Sequence, residues 1–451
     1  MSLAAEPGTH KPLDIIESNE QLLATRKAHF PPTAVHYYQK PLHLVRAKGC
    51  NVYDEQGREY LDVIGGIVCI SAGHNHPKIQ QRMLAMIQND EIQHTTTLYL
   101  NRYATRLAEK LAQAAPAGID KVAFTNSGSE ANEVALMAAR HATGETTVMS
   151  LQHGYHGGTL GTLAHCGHAS WRFKAQPVAH TVAALAPNCY RCPFKQEPTT
   201  CHLECATHVE ETIQTTTHGK LAAFIAEPVM GVGGFITPPE AYFHQVAKIV
   251  KKYGAKYISD EVQTGAGRCG EAFLATKSMQ IDADIITMAK GFGNGAAAGA
   301  TLMRDEIAAS LSGKFHFNTF AGDPFQAMQA LTTMEIIEDE QLIENARAMG
   351  EYLIEQLKAL QSRHPLIGDV RGRGLLIGVE LVKDRITKDY ATAETNQLME
   401  LTQERGVLIG KGGLFGNVVR IAPALSISRT QCDQLVQALD ESLTVIEKSN
   451  A

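Results

Sequence analysis

Three ionisable residues each sit at the end of a short apolar run: Glu227 after AAFIA, Asp260 after KYIS and Lys290 after DIITMA. Their separations are each close to one strand–helix unit. In an open parallel sheet, ligands bind beyond the carboxyl ends of the strands, so three such ends converge on one pocket. One charged strand end can simply mark where a strand meets solvent. Three of them, beside a Gly-Ser turn at a fourth strand end, favour a site. Lys290 precedes GFGNG. A lysine held there is partly desolvated, which lowers its pKa and makes the amine a nucleophile towards carbonyls. GFGNG is not the dinucleotide fingerprint, but its glycines leave room for a bulky ligand. Asp260 can face a cation on that ligand, and Gln263 can reach it from the following turn.

Two further segments carry chemistry. TNSGSEAN (Thr125 to Asn132) joins a strand to a helix. Its Gly128 backbone, the Ser127 and Ser129 hydroxyls and the amides of a helix N-terminus suit an anion such as phosphate. Ser127 and Glu130 are spaced as a capping box, which explains those two residues but not Gly128 or Ser129. HGYHGGTLG (His153 to Gly161) places Tyr155 and His156 among glycines, where an aromatic face can lie open to a flat ligand.

The elements that must position these residues alternate. KVAFT, TVMSL, AAFIAE, KYISDE and DIITMAK read as strands. Helices follow several of them, one from about Pro239 to Tyr253. Near-continuous apolar strands separated by helices predict a mostly parallel central sheet covered on both faces, an α/β fold. NVYDEQGREYLDV reads as two short strands around Glu55-Gln56-Gly57. Beyond about residue 326 come two long helical stretches, the antiparallel-looking DVRGRGLLIGVELVKD, and a final helix from about Arg429. The expected division is an N-terminal arm with part of a small domain (1–64), a large domain (65–325) and a C-terminal small α+β domain (326–451).

The formal net charge of −6 argues against a nucleic-acid partner or an anionic membrane surface. No apolar run is long enough to span a bilayer. Nine cysteines, an odd number, and the lack of a signal-like N-terminus lead to an expected cytoplasmic location. Four cysteines form CYRCPFKQEPTTCHLEC: Cys189, Cys192, Cys201 and Cys205. They offer a weaker reading of another class, a zinc-binding interaction module. The gap between the pairs is shorter than in common zinc ribbons, and a surface insertion with reduced thiols is the favoured reading.

NSGSEAN, GYHGGT, AEPVMG, SDEVQTGAGR, TMAKGFGNG and HFNTFAG occur together in this order, and the sequence resembles the class III aminotransferases that depend on pyridoxal 5'-phosphate (PLP). GIVCISAGHNHP and GKGGLFGNVVRIAP make it most similar to the alanine–glyoxylate aminotransferase 2-like group. The resemblance implies PLP fold type I. It also implies that Lys290 forms the Schiff base and shuttles the substrate α-proton, and that Asp260 pairs with the pyridine nitrogen. Gln263 would bond the ring hydroxyl, Gly128 and Ser129 would hold the phosphate, and Tyr155 would stack on the ring beside His156. Thr319 would reach the phosphate of a neighbouring subunit, implying a homodimer or a dimer of dimers. Glu227 would lie on the substrate side, with Ile67 and Val68 near the substrate, and Arg420 would bind its carboxylate. The implied reaction is ping-pong amino transfer from an amino acid or amine to a small oxo-acid such as glyoxylate or pyruvate. Dialkylglycine decarboxylases, racemases and phospholyases share the scaffold. Decarboxylation is disfavoured, because that family has glutamine where Ile67 aligns and serines at Gly231 and Val232.

Overall fold

The computed structural model describes residues 18–174 and 180–450. Its centre is a seven-stranded sheet in the order Ile119–Thr125, Gly299–Arg304, Ile285–Met288, Lys256–Asp260, Ala223–Ala226, Val148–Leu151 and Thr181–Ala184. Only Gly299–Arg304 runs against the others, pairing antiparallel with both of its neighbours. The remaining pairs are parallel. Six strands therefore present their carboxyl ends along one edge.

Successive strand residues face opposite sides of a sheet, so a strand covered on both faces is apolar at every position. Phe224, Tyr257, Ile286 and Met288 pack on one side with Tyr242, Phe243 and Val246 of the helix Glu240–Lys252. Ala223, Ile225, Ile258 and Ile285 pack on the other with Val134, Ala135 and Ala138 of the helix Gly128–Thr143.

A second core lies beneath the antiparallel sheet Ile367–Arg373, Leu376–Leu381, Val418–Ile421 and Gly410–Gly412. The N-terminal strands Leu44–Lys48, Asn51–Asp54 and Glu59–Asp62 form a third sheet, completed by Val407–Leu408 pairing parallel with Glu59–Asp62. Leu61 and Val63 pack into the second core. The fully buried Arg268 bonds the carbonyls of Ile70 and Pro423 and so pins distant segments together. Among the described residues, no helix is long and apolar enough to cross a membrane.

Candidate active site

The carboxyl edge of the large sheet gathers the singled-out residues. Asp260, buried at the end of its strand, accepts three hydrogen bonds. Its Oδ1 takes the Val262 amide at 3.1 Å; its Oδ2 takes Asn132 Nδ2 and His156 Nδ1, each at 2.8 Å. Glu227 is buried one residue beyond its strand and accepts the amides of Tyr155 (3.0 Å) and Gly231 (2.8 Å). Burial pushes its carboxyl up to about 7. Nearby Asp260 adds to the rise, while His156 and the two amides oppose it.

Lys290 opens a single 3₁₀ turn (Lys290–Phe292) with φ +50°, a left-handed conformation that costs a non-glycine residue energy and tends to persist where function requires it. Its amine is held below the usual lysine range, first by burial and then by the charge of Arg420. Cys69, Glu227 and Asp260 pull the other way. That is the electrostatic setting of a nucleophilic amine.

Arg420 is buried, lies 4.5 Å over the Phe235 ring, and donates to Gln263 Oε1 at 2.6 Å. Its Nε has no partner. Two glycines leave space for this pair. A Cβ on Gly231 would come within 2.1 Å of Gln263 Nε2, and one on Gly412 within 2.6 Å of Arg420 Cδ. A buried guanidinium whose side-chain partner is a neutral amide, with N–H donors to spare, has the chemistry to receive a carboxylate.

The TNSGSEAN turn starts the helix Gly128–Thr143 as expected, with Ser127 Oγ accepting from the Glu130 amide at 3.2 Å. The capping box is only half made. Glu130 turns its carboxylate to the Asn126 amide (2.7 Å) and to Asn318 (3.1 Å). The close approach at Gly128 is that of Val262, whose Cγ1 would stand 2.8 Å from an added Cβ; this ties the turn to the Asp260 loop. Ser129 Oγ accepts the Gly158 amide at 3.0 Å. The Tyr155 ring meets Trp171 edge-on, with centroids 4.9 Å apart.

Three of the expected residues take the following positions. Gln263 accepts from Arg420 through its Oε1. Val68 packs into the main core at 1% exposure, so Ile67, at 49%, is the residue of that pair facing outward. Both lie in a run of positive φ from Gly65 to Val68, which turns one side chain in and the other out. Thr319 is exposed, while its neighbour Asn318 bonds Asn126 at 2.8 Å. Asn132, Glu133, Asn318 and Phe235 were not singled out from the sequence. A polar residue at position 132, within the otherwise apolar buried face of an alanine-rich helix, was the available signal.

The four clustered cysteines line a cavity of about 30 Å³ with Phe194 and Pro239, and all are free thiols. Burial raises the Cys189 thiol and pushes Cys205 up to about 11, with the neighbouring thiols adding to both. Among the described residues, no group of three or more His, Cys, Asp or Glu side chains is disposed to hold a metal ion.

Residues 33–443 match the family model for class-III aminotransferases. The chain belongs to this family. An alanine–glyoxylate aminotransferase 2 homolog from Arabidopsis thaliana is 41% identical over 95% of this chain and 88% of its own length. A leucine/methionine racemase from Thermococcus litoralis is 35% identical over 92% and 94%. A PLP-bound amine transaminase from an uncultivated Pseudomonas species superposes with TM-score 0.85 at 29% identity, covering 98% of this chain and 99% of its own. This class III aminotransferase is PLP-dependent and has fold type I. Its carboxyl-edge residues suit that group: a helix N-terminus for the phosphate, a carboxylate for the ring nitrogen, and a lysine of depressed pKa for the aldehyde.

Proposed function

We propose that this aminotransferase moves the amino group of a carboxylate-bearing donor, L-alanine foremost, to a small oxo-acid such as glyoxylate or pyruvate. The observation that carries this reading is Arg420, buried and bonded to a neutral amide, at the same site as Lys290. The alanine–glyoxylate name of the Arabidopsis relative supports the same substrates.

When bound, PLP supplies an aldehyde carbon for the amino group and a conjugated ring that accepts an electron pair. The chain does the rest. Lys290 Nζ would hold the group and, once freed by the donor's amino group, would take the α-proton and deliver it to the carbon two bonds away, across the nitrogen. Asp260 would accept from the ring nitrogen, and Gln263 would meet the ring hydroxyl. Gly128 and Ser129 would receive the phosphate, and Tyr155 and His156 would cover one ring face. Arg420 holds the substrate carboxylate, with Ile67 at the mouth and Glu227 bordering the substrate. The assigned division at residues 65 and 325 puts the lysine and the arginine on different domains.

We also propose that the working unit is a homodimer. The segments 92–101 and 315–323 lie together through His94–Asp323 and Asn101–Gly322 contacts. They expose Leu98, Tyr99, Leu100, Phe315, Phe317 and Phe320, an apolar patch suited to a second copy. On this reading Thr319, inside the patch, reaches the partner's phosphate. The cytoplasmic assignment stays a proposal, since the Arabidopsis relative is named as mitochondrial.

The deciding experiment is the visible spectrum of the PLP-loaded protein before and after L-alanine, without an oxo-acid. Conversion to the pyridoxamine form establishes the half-reaction. An unchanged band discards alanine. The racemase relative favours one second reading, α-proton exchange with inversion. D-alanine formed from L-alanine, with no oxo-acid released, would establish that instead.

A further inference from the structure

We propose that Asn132 is a positioning residue that locks Asp260 and the loop covering the cofactor ring into one rigid frame. The inference rests on PLP occupying the site assigned above. Asn132 is buried at 1% exposure, and every polar hydrogen and its oxygen are engaged. Nδ2 donates to Asp260 Oδ2 at 2.8 Å and to the His156 carbonyl at 2.7 Å. Oδ1 accepts from Thr287 Oγ1 at 2.7 Å. Two acceptors on one side and a hydroxyl donor on the other fix which way the amide points.

The partners come from different parts of the fold. Asp260 ends one strand, and Thr287 lies on the next, three residues before Lys290. His156 follows Tyr155 in the covering loop. Asn132 itself is on the helix whose N-terminus faces the phosphate position. That helix holds the same loop at two neighbouring positions. Ser129 Oγ takes the Gly158 amide at 3.0 Å, and Glu133 takes the Gly161 amide at 3.1 Å. Residues 129, 132 and 133 have i, i+3, i+4 spacing, so one helix face carries all three contacts. Asn132 alone among them also reaches the carboxylate. Asp260 Oδ2 is thereby shared between Asn132 and His156, while Oδ1 accepts one amide and keeps a lone pair for the ring nitrogen.

The test uses purified PLP-loaded enzyme and two readouts besides turnover: the dissociation constant for PLP, and the pH midpoint of the bound cofactor's visible band. Asn132→Leu keeps the volume but removes both donors. Thr287→Val removes only the hydroxyl that orients the amide. Leaving buried polar groups unpaired predicts PLP affinity weakened by about ten- to a hundredfold in Asn132→Leu, and by a few-fold in Thr287→Val. Both should move the band's pH midpoint in the same direction. A packing role alone would lower thermal stability and leave that midpoint in place. Folded variants with wild-type PLP affinity and midpoint would overturn the proposal, and Thr287→Val decides it if Asn132→Leu does not fold. A Lys290→Ala protein that still shows the Schiff-base band would instead overturn the site assignment underneath.

Discussion

At the carboxyl edge of the seven-stranded sheet, Glu227, Asp260 and Lys290 arrive from three separate strands and end up in one electrostatic field, with Asn132, His156 and three backbone amides bonding the two carboxylates. In the segment around Cys189–Cys205, four thiols close together in the chain line one small apolar cavity without assembling as ligands. That segment is anchored by other residues. Arg191 bonds buried Glu380 and the Lys388 carbonyl, and Lys388 bonds the Tyr190 carbonyl in return. Nearness along the chain counted for little here. What separates the two regions is their polar chemistry: the edge pairs its buried carboxylates while leaving Arg420 Nε and His156 Nε2 without a partner, whereas the cysteines pack as small, half-buried thiols.

Lys290→Ala gives the sharpest test of the edge as a catalytic region. Loss of the nucleophile should reduce amino transfer by about a thousandfold or more, measured as kcat with saturating donor and acceptor. Arg420→Ala removes charge-assisted hydrogen bonds and should raise the KM for L-alanine roughly ten- to a hundredfold. An amine without a carboxylate should be hardly affected; equal losses for both would refute the carboxylate role. Glu227→Gln tests the shared field. Below about pH 7 the wild-type Glu227 carboxyl holds a proton, and above it the side chain is charged. Between its ordinary value near 4.5 and about 7, the folded chain binds a proton that the unfolded chain has released. This group's contribution to stability therefore falls as pH rises through that window. The glutamine variant should flatten that slope in urea titrations and remove a titration near 7 from the kcat/KM profile. The smallest effect belongs to the other region. Changing the four cysteines together to serine should leave turnover within about twofold and cost about 1 kcal/mol or less per site. Stoichiometric zinc in wild-type protein purified without chelator, and lost in that variant, would reverse the contrast.

The apolar runs made five of the seven strands and their carboxyl ends legible, because a strand buried on both faces has few other readings. Gly299–Arg304 and Thr181–Ala184 escaped notice. The first follows a glycine- and alanine-rich turn that blurs its start, and the second is short and only partly buried. Within the site, residue types at strand ends pointed to Asp260, Lys290 and Glu227. The Arg420–Gln263 bond joins residues far apart in the chain, and no local pattern records it. The diversion of Glu130 to Asn126 and Asn318 is equally hidden, since a capping box read from spacing assumes that its glutamate has no better partner.

Trp171 is the single tryptophan in the chain, and its ring packs edge-on against Tyr155. The molecule thus carries a built-in optical gauge. With PLP seated against Tyr155 as proposed, light absorbed by this indole would pass to the coloured ring, so emission should dim as the site fills and shift again when a donor changes the ring's colour. Loading and turnover can then be followed in real time without adding a dye.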